Sequence, residues 1–539
     1  MPRATRRAFL MGASAIALTG CAQRGPQDEQ PSAAPTSTAH YVFANAATAP
    51  TLDPSLTDNV ETNRAARQIL DGLVSPDALT GDPRPALALS WAEAEDGLSI
   101  DFALRRDVRF HDGQVLDADA VARNFQRWAA ASVRDSSTGR HSLFDAVFRG
   151  GSPQGSIYDG CEAVDEHTVR LRLRRRYPAL LTVLTHPAFG IISPGSIDGG
   201  TAGTAPAGTG AYRVRRGIAP GAGQQPGDSI ELEAYPEHWA GPGDIGILEF
   251  VAIPDTELRY TALRTGRVDG YDLVGLGAFA PLAREGIQVL QRDPYSVTFL
   301  GLHNGTAPLD TRVMRDALFC AVDRQALVRD HFPQGTHVAQ EFLPARFSIP
   351  DDEVGYPGYN PQRARRLLEE NDYDGAPLRF AYPVGSSRPW ALEPERLYAD
   401  ISAQLVRAGF AIDPVPIPWS TYAETLRTRS ADHQLFLSGL SGGLRDPDFF
   451  TSVLFSSPTP ELGLDSRGLR ELVDEAAATP SGDQRQELYR QVNSRVARHL
   501  AALPLAFPIT AVAVNARTAY FPLNSTGFEA FRDVELLEA

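Results

Sequence analysis

The sequence lacks several residue types and patterns, and each absence excludes a class of protein or of site. Its 539 residues include no lysine, so all 51 basic residues are arginines, a bias that we interpret as a compositional habit. No apolar run reaches the ~20 residues that a membrane-spanning helix needs. Asp and Glu outnumber Arg by 66 to 51, which gives a net charge of −15. Because nucleic-acid binding requires a basic face, this balance argues against it.

Metal-binding and catalytic patterns are also missing. The 11 histidines are scattered, without HxxxH or CxxC spacing, so no metal site is predicted. No nucleophile elbow, P-loop or dinucleotide fingerprint stands in a suitable context, so we expect no cofactor and do not expect an enzyme. Of the three cysteines, Cys161 and Cys320 are predicted to be small buried thiols rather than a disulfide.

The first 21 residues have the composition of an export signal. Arg6 and Arg7 resemble a twin-arginine signal, an apolar stretch follows over 11–18, and the segment ending in Cys21 resembles a lipobox. This predicts a periplasmic or cell-surface protein, lipid-anchored at the outer face of the cytoplasmic membrane. The predicted segments are a signal peptide over 1–20 and a lipidated, solvated linker over 21–38.

Strand-like and helix-like patterns alternate along the rest of the chain. Residues 98–104 and 168–173 alternate polar and apolar side chains, as a strand with one wet face does. Residues 60–75 and 311–330 have the apolar spacing of helices. This alternation predicts α/β lobes.

Several local patterns follow one another in a fixed order, and the most specific is DGLSIDFALRRDVRFHDG at 96–113. The others include TLDP at 51–54, ILDGLV at 69–74, GTGAY at 208–212, YPEHW at 235–239, the helix over 313–324 and RDPDF at 445–449. Together they resemble the family-5 extracellular solute-binding proteins, the peptide-, opine- and nickel-binding subunits of ABC importers. The resemblance covers roughly residues 41–515.

The resemblance implies an α/β, two-lobed periplasmic-binding-protein fold (type II, cluster C-like), with the ligand clamped between the lobes. It also implies an extra subdomain inserted in lobe one. The expected boundaries are 39–272 for lobe one, including the inserted subdomain at about 76–164, then 273–505 for lobe two and 506–539 for the return to lobe one. The run 505–509 is the expected returning strand.

The function implied is capture of a small solute, above all a short peptide, and its delivery to an ABC permease and its ATPase subunits. We expect a monomer that binds no nucleic acid. Because one fold hosts many ligands, opines, oligosaccharides, haem and nickel chelates stay open as alternatives. A sensing role also stays open, and an exported hydrolase is the less favoured interpretation.

Asp446 is the first ligand residue that the resemblance implies, since an aspartate of this loop anchors the ligand ammonium in peptide-binding members. A carboxylate facing an ammonium forms a strong charge-assisted bond. The alternatives are that Asp446 only starts a turn and caps the next helix, or that Asp448 takes its role. Arg445, directly before it, is also expected to be a ligand-binding residue. If it neutralised the anchor, the peptide interpretation would be weaker.

Arg388 is the second ligand residue that the resemblance implies. Arg388-Pro389-Trp390 resembles a segment of dipeptide-binding members in which the arginine binds the ligand carboxylate. A planar guanidinium pairs a carboxylate bidentately, although a solvated loop arginine is the alternative. Trp390, Trp419 and Tyr422 are expected to line the pocket as aromatic walls. Packing near the hinge is the alternative role for Trp419.

Tyr41, Asn45 and Asp58 are expected at the cleft by position alone. His111 beside Asp112 has the residue types of a base and its orienting partner. The resemblance instead makes this pair a turn that helps to close the inserted subdomain.

Overall fold

The computed structural model describes residues 37–537, except 79, 139–142, 149–155, 220–223, 226, 294, 348, 350–354, 442 and 457–458. The predicted signal peptide, Cys21 and nearly all of the linker lie outside the described residues. Within those residues, no helix is both long enough and apolar enough to cross a bilayer. Residues Thr36–Ala539 form one compact unit.

The strands of the described residues form two large sheets, of seven and six strands, one four-stranded sheet and two small two-stranded ones. The strands are β1 (His40–Asn45), β2 (Val74–Pro76), β3 (Pro83–Pro85), β4 (Ala88–Glu93), β5 (Ser99–Leu104), β6 (Tyr158–Asp165), β7 (Thr168–Leu173), β8 (Tyr212–Arg216), β9 (Ser229–Ala234), β10 (Ile247–Ala252), β11 (Gly270–Asp272), β12 (Gln288–Arg292), β13 (Ser296–Leu302), β14 (His337–Val338), β15 (Leu378–Val384), β16 (Ile412–Pro418), β17 (Leu435–Ser441), β18 (Ala502–Phe507), β19 (Thr510–Val514), β20 (Thr518–Tyr520) and β21 (Glu535–Leu536).

Helices fill most of the connections between these strands. They are α1 (Val60–Ile69), α2 (Ala118–Thr138), α3 (Leu143–Phe148), α4 (Leu180–Val183), α5 (Pro194–Asp198), α6 (Thr256–Arg264), α7 (Phe279–Arg284), α8 (Arg312–Ala321), α9 (Arg324–His331), α10 (Pro361–Glu370), α11 (Pro394–Ala408), α12 (Trp419–Thr428), α13 (Pro447–Phe455), α14 (Arg467–Ala478) and α15 (Asp483–His499). Helix α1 begins after Asn59, whose side chain accepts the Thr62 N–H at 2.8 Å and so caps the first turn.

The seven-stranded sheet has the order β12-β19-β11-β1-β10-β9-β8. Strand β1 runs parallel to both β10 and β11, while β19 is antiparallel to β11 and β12. All five residues of β19 are buried, as expected for an apolar strand covered on both faces. The sheet therefore combines strands from the beginning, the middle and the end of the chain.

The six-stranded sheet has the order β14-β18-β13-β17-β15-β16. Its central strand β13 is buried along its whole length and pairs antiparallel with β17 and β18. Strand β15 runs parallel to β16 and β17. Helices α8, α11 and α15 contribute buried apolar side chains to the cores around this sheet.

The four-stranded antiparallel sheet, β4-β5-β7-β6, carries the predicted wet-face alternation. On the wet face, Arg170 of β7 binds Asp101 of β5 with an Nε–Oδ1 distance of 2.6 Å. The opposite face packs against α2, where Phe125 and Trp128 are buried at a ring-centroid distance of 4.8 Å. The α/β, two-lobed fold class predicted from the sequence is confirmed by the solved structures described below.

The chain passes between the two large sheets twice. It leaves the seven-stranded sheet after β12 and enters the six-stranded sheet at β13, and it returns between β18 and β19. The return strand expected at 505–509 is therefore instead 510–514, because 502–507 still pairs with β13. The lobe boundaries remain predictions. The chain passes from one large sheet to the other between residues 292 and 296 and between residues 507 and 510, whereas the expected lobe boundaries were 272 and 505.

Candidate ligand cleft

Two adjoining clefts lie between the two large sheets and share Thr526. We call the first the Arg67 cleft, after the α1 residue that lines it, and the second the Asp272 cleft, after the last residue of β11. The space that a water-sized sphere can enter is about 20 Å³ in each, which is far below the ~300–1,000 Å³ of a small-molecule site. The six-stranded side contributes Arg445 to the first cleft and Pro389 to the second.

The loop after β15 closes one side of the clefts. The guanidinium of Arg388 lies 3.2 Å from a carboxylate oxygen of Glu61 in α1, and both side chains are buried. The hydroxyl groups of Ser387 and Thr256 lie 3.1 Å apart. The same loop places Leu392 in an apolar cluster with Ala46 and Leu273 of the other side. Polar and apolar contacts therefore join the two sides here.

The opposite side is closed by the start of α13 and the segment that precedes it. Tyr177 donates its hydroxyl hydrogen to Asp448 at 3.1 Å, and both residues are buried. Arg445 donates to the Ser525 hydroxyl at 2.8 Å. Leu444 belongs to the apolar core beside the four-stranded sheet. The structure is therefore a closed form with contacts on both sides of the clefts.

The Arg67 cleft is lined by polar groups in a desolvated environment. Burial lowers the pKa of Arg67, and nearby Asp71 opposes that shift. Burial also lowers the pKa of Arg445, against the raising effect of Tyr295. His186 is buried, and desolvation lowers its pKa to about 3, so its ring is neutral at physiological pH.

A buried network of two arginines and two carboxylates adjoins the Asp272 cleft, and two of its members, Asp272 and Arg292, line the cleft. Arg64 and Arg292 both bind Asp272, and Arg292 binds Glu529 at 2.5 Å. Arg64 also donates to Asn45 at 2.7 Å. The arginines hold the pKa of Asp272 well below its usual range, although its burial works in the opposite direction. These charges compensate each other without a ligand.

Asp446, the predicted ammonium anchor, has a protein partner. Its two carboxylate oxygens accept from the guanidinium of Arg485 at 2.8 and 2.9 Å, and both residues are buried. Asp446 also accepts the Asp448 N–H at 2.8 Å and caps α13, as the alternative interpretation proposed. The cation that neutralises Asp446 is Arg485 and not the adjacent Arg445. A ligand role of Asp446 stays a prediction.

Arg388 and the predicted aromatic residues lie next to each other but pack into the protein. The guanidinium of Arg388, already bound to Glu61, lies 4.6 Å from the ring centroid of Trp419. Trp390 and Tyr422 are buried, and the Tyr422 hydroxyl donates to the Leu437 carbonyl at 2.6 Å. None of these four side chains lines either cleft, although Pro389 lines the Asp272 cleft. Their binding roles stay predictions.

Tyr41, Asp58 and His111, which the sequence singled out by position or by pattern, differ in burial and in bonding partners. Tyr41 is buried, and its hydroxyl lies 3.1 Å from that of Thr518. Asp58 is exposed, and the surrounding protein raises the pKa of its carboxyl, against the lowering effect of Arg388. The His111 ring bonds the Gly210 carbonyl at 2.9 Å, which agrees with its predicted structural role.

The sequence reasoning missed Arg67, His186 and Thr526. Arg67 stands in a helix whose apolar residues alone had been considered, and it is the last arginine of α1. Thr526 lies in the C-terminal return, for which no ligand residue was predicted. Only the position of these residues on opposite walls of a cleft identifies them, and no local sequence signal does.

Cys161 and Cys320 are both buried free thiols, as predicted from the sequence. Burial raises the pKa of Cys161 to about 12 and that of Cys320 to about 11, so both thiols are protonated at neutral pH. In the part of the chain that the structure describes, no group of three His, Cys, Asp or Glu side chains is placed to hold a metal ion.

Comparison with protein families gives a match over most of the chain. The family model for bacterial extracellular solute-binding proteins, family 5 (middle region), matches residues 82–460. The haem-binding protein A of Haemophilus influenzae is 25% identical over 554 aligned residues, which cover 98% of each chain. The dipeptide-binding protein of Escherichia coli K12 is 26% identical over 84% of this chain and 86% of its own.

The solved structures give the same fold. A dipeptide-binding protein from Pseudoalteromonas, crystallised with Met-Leu, superposes with a TM-score of 0.83 at 20% identity, covering 92% of this chain and all of that one. A Staphylococcus aureus protein in complex with nickel and histidine superposes with a TM-score of 0.78 at 15% identity, covering 93% of this chain and all of that one. At such identities the similarity establishes the architecture, and the ligand has to be argued from the cleft.

Proposed function

Because this chain belongs to the family-5 bacterial extracellular solute-binding proteins, we propose that it captures a short peptide and presents it to an ABC permease. The observation that carries the proposal is the pair of adjoining clefts, with the Arg388–Glu61 contact on one side and the Tyr177–Asp448 contact on the other. Members of the family bind solutes for transport outside the cytoplasm and are not enzymes. Hydrolysis of ATP belongs to other subunits of such importers.

The mechanism we propose is closure around the solute. A solute stabilises the closed form only to the extent that it binds this form better than the open one. The two crossings, from β12 to β13 and from β18 to β19, are where the backbone would bend. The Arg388–Glu61 and Tyr177–Asp448 contacts would then form on closure, because each joins side chains from opposite sides of the clefts.

Short peptides are favoured as ligands for two reasons. The dipeptide-binding relatives match over most of their length. In addition, the cleft walls carry hydroxyl, amide and guanidinium groups that suit a polar backbone. Haem is the second candidate, since the haem-binding relative covers 98% of both chains. Opines, oligosaccharides, nickel chelates and a sensing role are less favoured.

We also propose that the chain is exported and held at the membrane through a lipid on Cys21. The composition of residues 1–21 supports this, and the linker over 21–38 would let the folded body reach a permease. A tether of that kind raises the local concentration of the binding protein near its transporter. Globomycin, which blocks signal cleavage of lipoproteins, would then shift the mobility of wild-type protein but not of Cys21→Ala.

A thermal-unfolding scan of Thr36–Ala539 against a ligand panel tests the function. The panel holds di- to pentapeptides, opines, oligosaccharides, haem and nickel with histidine. A ligand at about 100 times its Kd adds roughly 2.7 kcal/mol to the free energy of unfolding. We expect a rise in Tm with peptides. A rise with another class alone would replace the ligand, and no rise with any solute would contradict solute capture.

A further inference from the structure

We propose that the buried ion pair between Arg388 and Glu61 is a latch that closes the two sides of the clefts without a solute. This inference deepens the proposed function, because it concerns how the same site opens and closes. The sequence assigned the carboxylate that faces Arg388 to a solute, whereas the chain itself supplies one from α1. A solute would then enter only while the latch is open, so its apparent affinity would fall with the fraction of closed protein.

The closed form has little free space between its two sides. A water-sized sphere can enter only about 20 Å³ of the Arg67 cleft and about 20 Å³ of the Asp272 cleft. A small-molecule site has roughly 300 Å³ or more. This closed form is therefore held by direct contacts between the two sides, and its latch can be examined without a ligand.

The six-stranded side alone fixes the position of Arg388. Its backbone N–H and carbonyl bond with those of Ala391 at 2.9 and 3.0 Å, which makes a tight turn. Its Nε donates to the Ser387 carbonyl at 2.6 Å, and its guanidinium lies 4.6 Å from the ring centroid of Trp419 in α12. These three partners all follow β15 in the chain. Because the side chain is already held, pairing with Glu61 costs little further side-chain entropy.

Glu61 depends on Arg388 as its cation. Its Oε1 accepts from the Arg388 guanidinium at 3.2 Å, and both side chains are only 3% exposed. Within the described part of the chain, its Oε2 is buried and has no hydrogen-bond partner. The nearby Arg259 donates instead to backbone carbonyl groups. A carboxylate removed from water without a cation is costly, so the closed form needs this pair. The open form does not, because water would reach both groups.

The other contacts on this side of the clefts carry no such charge. The hydroxyl groups of Ser387 and Thr256 are neutral, and the cluster around Leu392 is apolar. The surrounding protein raises the pKa of Asp58, and the charge of Arg388 opposes that rise, but Asp58 is exposed and forms no ion pair with the described residues. A substitution at Glu61 therefore removes the buried charge pair and leaves the neutral contacts in place.

Distances between spin labels on Thr36–Ala539 test the latch in the absence of any solute. Labels on Thr265→Cys and Gln362→Cys would report the separation of the two sides, since both positions are exposed. The native thiols of Cys161 and Cys320 are buried and would stay unlabelled. The protein is first unfolded in guanidinium and refolded, so that no solute carried through purification holds it closed.

We expect wild-type protein to show mainly the short distance of the closed form. Glu61→Gln leaves Arg388 buried without a carboxylate in the closed form alone, so the ratio of open to closed protein should rise at least ~10-fold. Glu61→Gln combined with Arg388→Gln replaces both charges with neutral amides, and most of the closed form should return. Glu393→Gln is the matched control, because it removes a carboxylate from an exposed pair with Arg396 and should change nothing.

Wild-type protein that is mainly open, or Glu61→Gln with wild-type distances, would overturn the latch. A double variant as open as Glu61→Gln would overturn the ion pair as its cause. Circular dichroism confirms that each variant is folded, and Arg388→Gln replaces Glu61→Gln if the latter does not fold, since it breaks the same pair. No solute enters these measurements, so a failure of peptide capture in the ligand panel would leave the latch intact.

Discussion

Arg64 and Arg67 lie three residues apart on α1, yet their surroundings are opposite. Arg64 is fully buried and binds Asp272, with Glu529 at 3.6 Å and the Asn45 amide oxygen at 2.7 Å. Arg67 is partly exposed and has no ion-pair partner in the described part of the chain, although its pKa too is affected by burial. One turn of helix thus separates a compensated charge from an uncompensated one.

This comparison indicates how to distinguish an arginine that stabilises the fold from an arginine that is available to a ligand. The Arg64 network contains two positive and two negative groups, so the folded chain alone satisfies it. The same holds for Arg388 with Glu61 and for Arg485 with Asp446. Arg67 differs because no carboxylate of the described residues forms an ion pair with it, although Asp71 and Asp533 are near enough to favour its charged form. An arginine in a cleft is therefore a better ligand candidate when the protein has left it unpaired.

The largest expected effect is a difference in stability between two variants, one that removes Arg64 and one that removes Arg67. Arg64→Met would leave Asp272 and Glu529 with one arginine between them, and breaking a buried ion pair costs about 3–5 kcal/mol. Arg67→Met removes a desolvated cation that has no ion-pair partner in the described part of the chain, so the free energy of unfolding should stay the same or rise. Urea unfolding of both variants measures this. Similar losses would contradict the comparison.

A smaller loss of stability is expected from Asp446→Asn. The change would leave Arg485 buried without a carboxylate, which should lower the free energy of unfolding by about 2–3 kcal/mol. Asp465→Asn is the matched control, because Asp465 pairs with Arg470 at the surface, where ion pairs contribute about 0–1 kcal/mol. If Asp446→Asn kept its stability and lost peptide binding, the ligand role predicted from the sequence would be right.

The smallest effect concerns the neutral group beside Arg67. The pKa of His186 is about 3 in the folded protein and about 6.5 when unfolded, so only the unfolded chain takes up this proton between those values. Stability should therefore fall as the pH is lowered through that window, by about 2 kcal/mol from pH 7 to pH 5 for this group. His186→Gln should flatten the dependence, measured as Tm against pH.

The exposed His337 provides the control for this experiment. His337→Gln should leave the slope of Tm against pH unchanged. Desolvation also lowers the pKa of the half-buried His111 and of the buried His433 to about 4, so part of the slope should remain in His186→Gln. A slope identical to that of wild-type protein would show that His186 is not held neutral by the fold.

Local features were predictable from the sequence, and long-range pairings were not. The alternation over 168–173 is a property of six consecutive residues, and β7 has those bounds. The predicted helix over 311–330 is two helices, because the side chain of Asp323 accepts the Ala326 N–H at 3.0 Å and starts a new one. A capping residue inside an apolar pattern was overlooked there.

The candidate site depends on partners that are far apart in the chain. Asp446 and Arg485 are 39 residues apart, so the loop motif around Asp446 could not reveal its cation. Arg67 and Arg445 meet at one cleft from opposite halves of the sequence. The helical pattern of α1 indicates which face is apolar, but it does not distinguish Arg64 from Arg67. Only the placement of Asp272 and Glu529 does so.

The position of β19 between β11 and β12 has a consequence for synthesis and export. Chains emerge from the ribosome N-terminus first, and domains usually begin to fold as they emerge. Here β11 and β12 keep unpaired edges until residues 510–514 have been synthesised. The buried network around Asp272 is complete only after Glu529 has been added. An export route for folded proteins, such as Arg6 and Arg7 predict, could accept this chain only after its translation has ended.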